Sequence, residues 1–126
     1  MELNRIQSEF AEAQKSFANL EFYPTTDGKA YVKVLFKAGT EAKYVLSIKF
    51  PEAYPNEMPK VFIDAPFLDV NAPHRYQNGN ICFLHPSMWN PGVHNLKFVI
   101  ARTAKWLNKY EIWKHEGYWP GAQMIH

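Results

Sequence analysis

The sequence predicts a single α+β domain, and three patterns predict it. Apolar residues recur at spacings of three and four from Leu3 to Leu20, a helical period. From Tyr31 to Phe50 they alternate with polar residues, a strand period. From Leu96 to Tyr110 the helical period returns. Helix, strands and helix in that order argue for a sheet covered by helices. At 126 residues the chain holds about one domain. A two-domain dehydrogenase or kinase does not fit. Aromatic residues make up 16% of the chain, so a small domain can still bury a sizeable core.

The first helix shows a stripe of Leu3, Ile6, Phe10, Ala13, Phe17 and Leu20, with Glu2, Glu9, Glu12 and Lys15 on its other faces. A short strand near residues 20–23 meets the Tyr31–Lys37 strand through an Asp27-Gly28 hairpin, since Asp-Gly favours tight turns. In Tyr31–Lys37, Val32, Val34 and Phe36 share one face. Tyr44, Leu46, Ile48 and Phe50 do the same in the next strand, after a turn at Ala38-Gly39-Thr40. Residues 61–63 form a further short strand. Together these make a four-stranded antiparallel meander.

Periodicity then stops between Ala65 and Gly92, where Pro66, Pro73, Pro86, Pro91 and Gly79 interrupt the chain. Long loops in compact domains are usually functional or disordered. The aromatic and aliphatic residues of this loop, among them Phe67, Leu68, Tyr76, Phe83, Met88 and Trp89, argue for a packed loop. The second helix carries a stripe of Leu96, Val99, Ile100, Thr103, Trp106, Leu107 and Tyr110, with His94 or Asn95 as its cap. The tail after it, rich in Trp113, Tyr118 and Trp119, reads as a short helical turn and then an ordered extended segment. It is expected to fold back on the second helix, with His126 near the loop.

The formal charge is +2 and the basic residues form no run, so neither nucleic acid nor an anionic membrane is indicated as partner. The N-terminus lacks the basic and apolar pattern of a secretory signal. No apolar run reaches the ~18 residues of a membrane span. One cysteine excludes an internal disulfide and fits a reducing compartment. The expectation is a cytoplasmic protein. No glycine-rich phosphate loop is present, and no cofactor is indicated.

The single cysteine, Cys82, lies in the irregular loop, within His74-Arg75-Tyr76-Gln77-Asn78-Gly79-Asn80-Ile81-Cys82-Phe83-Leu84-His85. A lone cysteine is most often a small buried hydrophobe. Here it sits outside any periodic apolar face, with His74 and His85 near in sequence and Asn78 and Asn80 as amide donors of the kind that stabilise an oxyanion. Cys82 is thus the candidate nucleophile. His74 is either a base or a residue that pins the loop. Tyr76 either hydrogen-bonds across the loop or packs as an aromatic. A metal site built from His74, Cys82, His85 and His94 matches no zinc spacing.

Several of these segments resemble the ubiquitin-conjugating enzyme family. Phe50-Pro51-Glu52-Ala53-Tyr54-Pro55 with Pro59-Lys60-Val61-Phe62 is similar to its YPxxxP segment. Gly79-Asn80-Ile81-Cys82 resembles the GxIC active-site stretch, and Trp89-Asn90-Pro91 the WxP that precedes the crossover helix. These motifs fall in order across residues 1–110. The resemblance implies a UBC-like fold with Cys82 carrying a protein's C-terminal carboxyl as a thioester. Two departures stand out. Pro73-His74-Arg75-Tyr76 replaces the usual His-Pro-Asn, and the C-terminus is too short for two final helices. Both departures resemble the bacterial branch found in antiphage (CBASS-type) defence operons. That branch implies a cyclic-oligonucleotide synthase (CD-NTase) as the carried protein, and activation by a separate adenylating enzyme or by a pre-activated partner. The competing classes are an inactive scaffold of the same fold, and a cysteine hydrolase with Asp64 or Asp69 orienting a histidine.

Overall fold

The computed structural model describes residues 3–24 and 30–121. The Asp27-Gly28 turn and His126 lie outside the described residues. The order of elements is α1 (Leu3–Gln14), β1 (Leu20–Pro24), β2 (Ala30–Lys37), β3 (Lys43–Phe50), β4 (Lys60–Ala65), a 3₁₀ turn at Pro86–Met88, and α2 (Leu96–Glu116). The strands form one antiparallel sheet in the order β1-β2-β3-β4.

The period-two pattern sets the register. Val32 pairs with Ile48 and Val34 with Leu46, so one face of the sheet is continuously apolar. Val32, Val34, Tyr44, Leu46, Ile48, Phe50 and Val61 are all buried there. The complete α2 stripe, from Leu96 through Tyr110, is buried in the same core. Each aliphatic side chain so covered contributes about 1.5–3 kcal/mol. Ile6 and Ala13 of α1 join them, and α1 packs against α2. Glu9 ties the two helices together: its Oε1 accepts the Leu96 N–H at 2.8 Å and the Tyr54 hydroxyl at 2.5 Å.

Three expectations change. The helical spacing continues to Leu20, yet α1 ends at Gln14. Asn19 turns into the left-handed region at φ 63°, a conformation asparagine tolerates, and Leu20 begins β1. The segment after Tyr110 is no short turn, because α2 runs unbroken to Glu116 and closes at Gly117, whose φ is 84°. In the long loop, Leu68, Phe83, Leu84 and Trp89 pack on the core, whereas Phe67 is 94% exposed and Met88 56%. Asn95, not His94, caps α2: its Oδ1 accepts the Phe98 N–H at 2.9 Å.

Candidate active site

The loop that follows β4 folds into a tight lobe. Arg75 and Ile81 form an antiparallel bridge, the Tyr76 N–H donates to the Asn80 carbonyl at 2.9 Å, and the Gly79 N–H donates back to Tyr76 at 2.9 Å. Gly79 takes φ 95° at the bend, where a side chain would be strained. The Ile81 N–H donates to Val61 at 2.9 Å, which moors the lobe to β4. The Tyr54-Pro55-Asn56-Glu57-Met58-Pro59 segment supports its other side, where the Trp89 indole N–H donates to the Pro55 carbonyl at 2.8 Å.

This lobe brings Tyr76 onto Cys82. The phenolic oxygen lies 3.0 Å from Sγ. Burial raises the Tyr76 pKa to about 12, with the contact to Cys82 adding to the rise, so the phenol is protonated near neutrality and can donate to the sulfur once the thiol ionises. Burial also pushes the Cys82 thiol above its ordinary value. The Tyr76 bond, a backbone hydrogen bond with Leu84 and the charge of Arg102 pull the other way. Cys82 is 4% exposed.

His74 reaches Cys82 through its backbone: its carbonyl accepts the Cys82 N–H at 2.8 Å. His74 holds φ 60°, a left-handed conformation uncommon outside glycine and asparagine. Its ring stands 4.9 Å from that of Trp119. Both residues line a cavity of about 380 Å³ together with Cys82, Phe83, Arg102, Lys105, Trp106, Lys109 and Gly121. Asn78 and Asn80 line a different cavity, of about 400 Å³, with Tyr76, Met58, Lys60 and Trp89. Tyr76 therefore stands between the sulfur and the asparagines.

The remaining candidates are occupied locally. His85 Nδ1 contacts Ser87 Oγ at 2.7 Å and accepts the Ser87 N–H, capping the 3₁₀ turn. His94 Nδ1 accepts the Asn90 N–H at 3.0 Å, and its ring stacks on Phe98. Asp64 accepts from Lys33 and Ser47 on the sheet, and Asp69 accepts the Asn71 N–H. Among the described residues, no three His, Cys, Asp or Glu side chains gather where a metal ion could be held. No helix among them is long and apolar enough to cross a membrane. Sequence reading missed the cationic wall of Arg102, Lys105 and Lys109. Its signal was available in their spacing of three and four along a helix already recognised.

Solved structures share this fold. The human ubiquitin-conjugating enzyme E2 G1 aligns with a TM-score of 0.55 at 19% identity, over 79% of this chain and 88% of that one. The yeast Vps23 UEV domain, solved with a Vps27 PSDP peptide, aligns with a TM-score of 0.63 at 16% identity, over 98% of this chain and 86% of that one. Ubiquitin-conjugating enzyme 15 of Arabidopsis thaliana is 35% identical over 97 residues, which are 71% of this chain. A probable ubiquitin-conjugating enzyme E2 17 of the same plant is 34% identical over a stretch of equal length. The chain spans 58% of the length of these two plant relatives. The profile of the Type II CBASS E2 proteins matches residues 9–126, a stretch that includes the Cys82 lobe and both cavities beside it. The chain belongs to the Type II CBASS E2 protein family.

Proposed function

We propose that this protein is a thioester-forming transferase in which Cys82 carries the C-terminus of a partner protein and passes it to an amine. The observation that supports it most is the Tyr76 hydroxyl 3.0 Å from Cys82 Sγ, at the edge of a cavity large enough for a peptide end. In the first step Sγ attacks the acyl carbon of an activated C-terminus. The carbon–sulfur bond forms, the activating group leaves with its electron pair, and the thiol proton passes to base. In the second step an amine attacks the thioester. The carbon–nitrogen bond forms, the carbon–sulfur bond breaks, the thiolate leaves under the Tyr76 hydrogen bond, and the amine's surplus proton passes to base. Asn78 and Asn80, behind Tyr76, face the side from which an acceptor enters. His74 fixes the Cys82 backbone, and its ring lies in the donor cavity with the sulfur.

Family membership supports antiphage defence as the setting and a cyclic-oligonucleotide synthase as the carried protein. In this reading a separate adenylating enzyme, or a pre-activated partner, supplies the activated C-terminus. The work would take place in the cytoplasm. A second reading, a binding scaffold, is favoured by the burial and raised pKa of Cys82. The fold it shares with UEV domains is compatible with that reading.

The test is reconstitution with the synthase and an activating enzyme, followed on non-reducing gels. A thiol-sensitive adduct is expected. Cys82→Ser should convert it to a thiol-resistant, alkali-labile ester, and Cys82→Ala should abolish it. Conjugation that continues unchanged in Cys82→Ala overturns the transferase reading in favour of the scaffold. His74→Asn retains a residue suited to φ 60°. If the ring acts as base, this variant loses ~10²–10⁴-fold in rate while its melting temperature holds.

A further inference from the structure

The cavity beside Cys82 has a cationic wall that the transfer chemistry alone does not require. Arg102, Lys105 and Lys109 line it from successive turns of α2, together with Phe83 and Trp119, and Arg102 Nε donates to the Phe83 carbonyl at 3.2 Å. Residues at spacings of three and four share a helix face, and like charges at that spacing destabilise it. The side-chain ion pairs of the described residues involve Arg5, Lys15, Lys33, Lys37, Lys114 and His115. Among the described residues no carboxylate pairs with Lys105 or Lys109. Partial burial, then the charges of Lys105 and Arg102, lower the Lys109 pKa. An anion placed between these groups would relieve that repulsion, and a cleft lined by one sign of charge concentrates its counter-ion.

We propose that this cavity recognises an acidic C-terminal peptide, with carboxylate side chains on Lys105 and Lys109 and the reacting carboxyl carbon at Cys82. The proposal rests on the transferase reading and names the donor's chemistry. From Arg102 to Lys109 the wall extends roughly 10 Å along the helix, at ~1.5 Å per residue. An extended peptide covers that length in about three residues. Acidic side chains just upstream of the terminal residue therefore reach the lysines while the terminus reaches the sulfur. Phe83, Trp106 and Trp119 supply apolar walls for the chain between. A mononucleotide is served less well. Phosphate sites use converging backbone N–H groups at a helix N-terminus or glycine loop. Among the described residues, the α2 N-terminus at Leu96 does not line this cavity, and Gly121 is the only glycine that does.

The test uses the full chain carrying Cys82→Ala, so binding is read apart from thioester chemistry. Fluorescein-labelled Asp-Ser-Glu-Ser-Gly-Gly and its neutral counterpart Asn-Ser-Gln-Ser-Gly-Gly are titrated by anisotropy, with AMP as competitor. The acidic peptide should bind at least about tenfold tighter, and added salt should weaken it by screening. Lys105→Ala with Lys109→Ala should remove that preference while the circular dichroism spectrum is unchanged. Lys109→Glu should shift preference towards Lys-Ser-Lys-Ser-Gly-Gly. Equal affinity for acidic and neutral peptides overturns the proposal, whether or not the lysine variants fold. AMP binding without acidic-peptide binding also overturns it, in favour of a nucleotide site. Acidic preference that persists in a protein unable to form the Cys82 adduct upholds the peptide site and places the failure in the transferase reading alone.

Discussion

At the scale of single residues, the site turns on how a buried thiol is kept usable. Burial alone would hold Cys82 protonated, and the Tyr76 hydroxyl is the strongest of the groups that oppose this. A hydrogen bond donated to a thiolate favours the charged form. Tyr76→Phe should therefore move the Cys82 thiol further up. The rate of iodoacetamide alkylation against pH reads this directly, since only the thiolate reacts. A midpoint that stays in place, or falls, would remove Tyr76 from the chemistry. Cys82 stood out in the sequence because it ends the Gly79-Asn80-Ile81-Cys82 stretch, and His74 because it lies close to it in sequence. The Tyr76 contact was one of two open readings, because the Arg75–Ile81 bridge that closes it leaves no periodic trace. The lysine wall escaped notice for a related reason. Its members never adjoin in sequence, and only the helix aligns them.

At the scale of elements, α2 both builds one wall of the cavity beside Cys82 and spans the core. Its amphipathic stripe was legible from Leu96 to Tyr110, and its continuation to Glu116 was not. That last stretch depends on Glu111, a buried carboxylate in a segment that reads as an aromatic tail. Glu111 accepts from Thr40 Oγ1 at 2.9 Å, from the Tyr44 hydroxyl and from Lys114 at 3.3 Å. These bonds join the end of α2 to the β2–β3 turn. Burial works to raise the Glu111 pKa, but the three donors together hold it below the usual carboxylate value. The folded pKa is thus lower than the unfolded one, ~4.3. The stabilisation is present above that unfolded value and is lost as pH falls through the folded one. Glu111→Gln should cost roughly 2–3 kcal/mol in urea unfolding at pH 7, and should flatten the loss of stability in acid. An acid limb unchanged in the variant would assign the pH dependence to other carboxylates.

At the scale of the whole molecule, the Cys82 loop, the second helix and the chain after it meet at one place, and Trp119 is where they are joined. Its ring lies 5.1 Å from that of Trp106 on α2 and 4.9 Å from that of His74, whose carbonyl holds the Cys82 N–H. A residue beyond the last helix thereby bears on Cys82 through one aromatic contact and one hydrogen bond. The sequence reading expected this segment to fold back on the second helix, and residues 117–121 do so. It had no means to place Trp119 on His74, because that contact depends on the left-handed turn at His74. Trp119→Ala removes a wall of the donor cavity and the partner of the His74 ring while leaving the core stripe of α2 intact. Since Trp119 is only half-buried, the loss of stability should fall below the ~3–5 kcal/mol of a core tryptophan. Alkylation of Cys82 by iodoacetamide should become faster, because the cavity over the sulfur opens. Transfer of the carried protein should become slower, because donor and backbone are less well held. Opposite movements of the two rates distinguish a positioning role from mere cover: a tryptophan that only shields the core would change stability and leave both rates, compared well below the melting temperature, where they were.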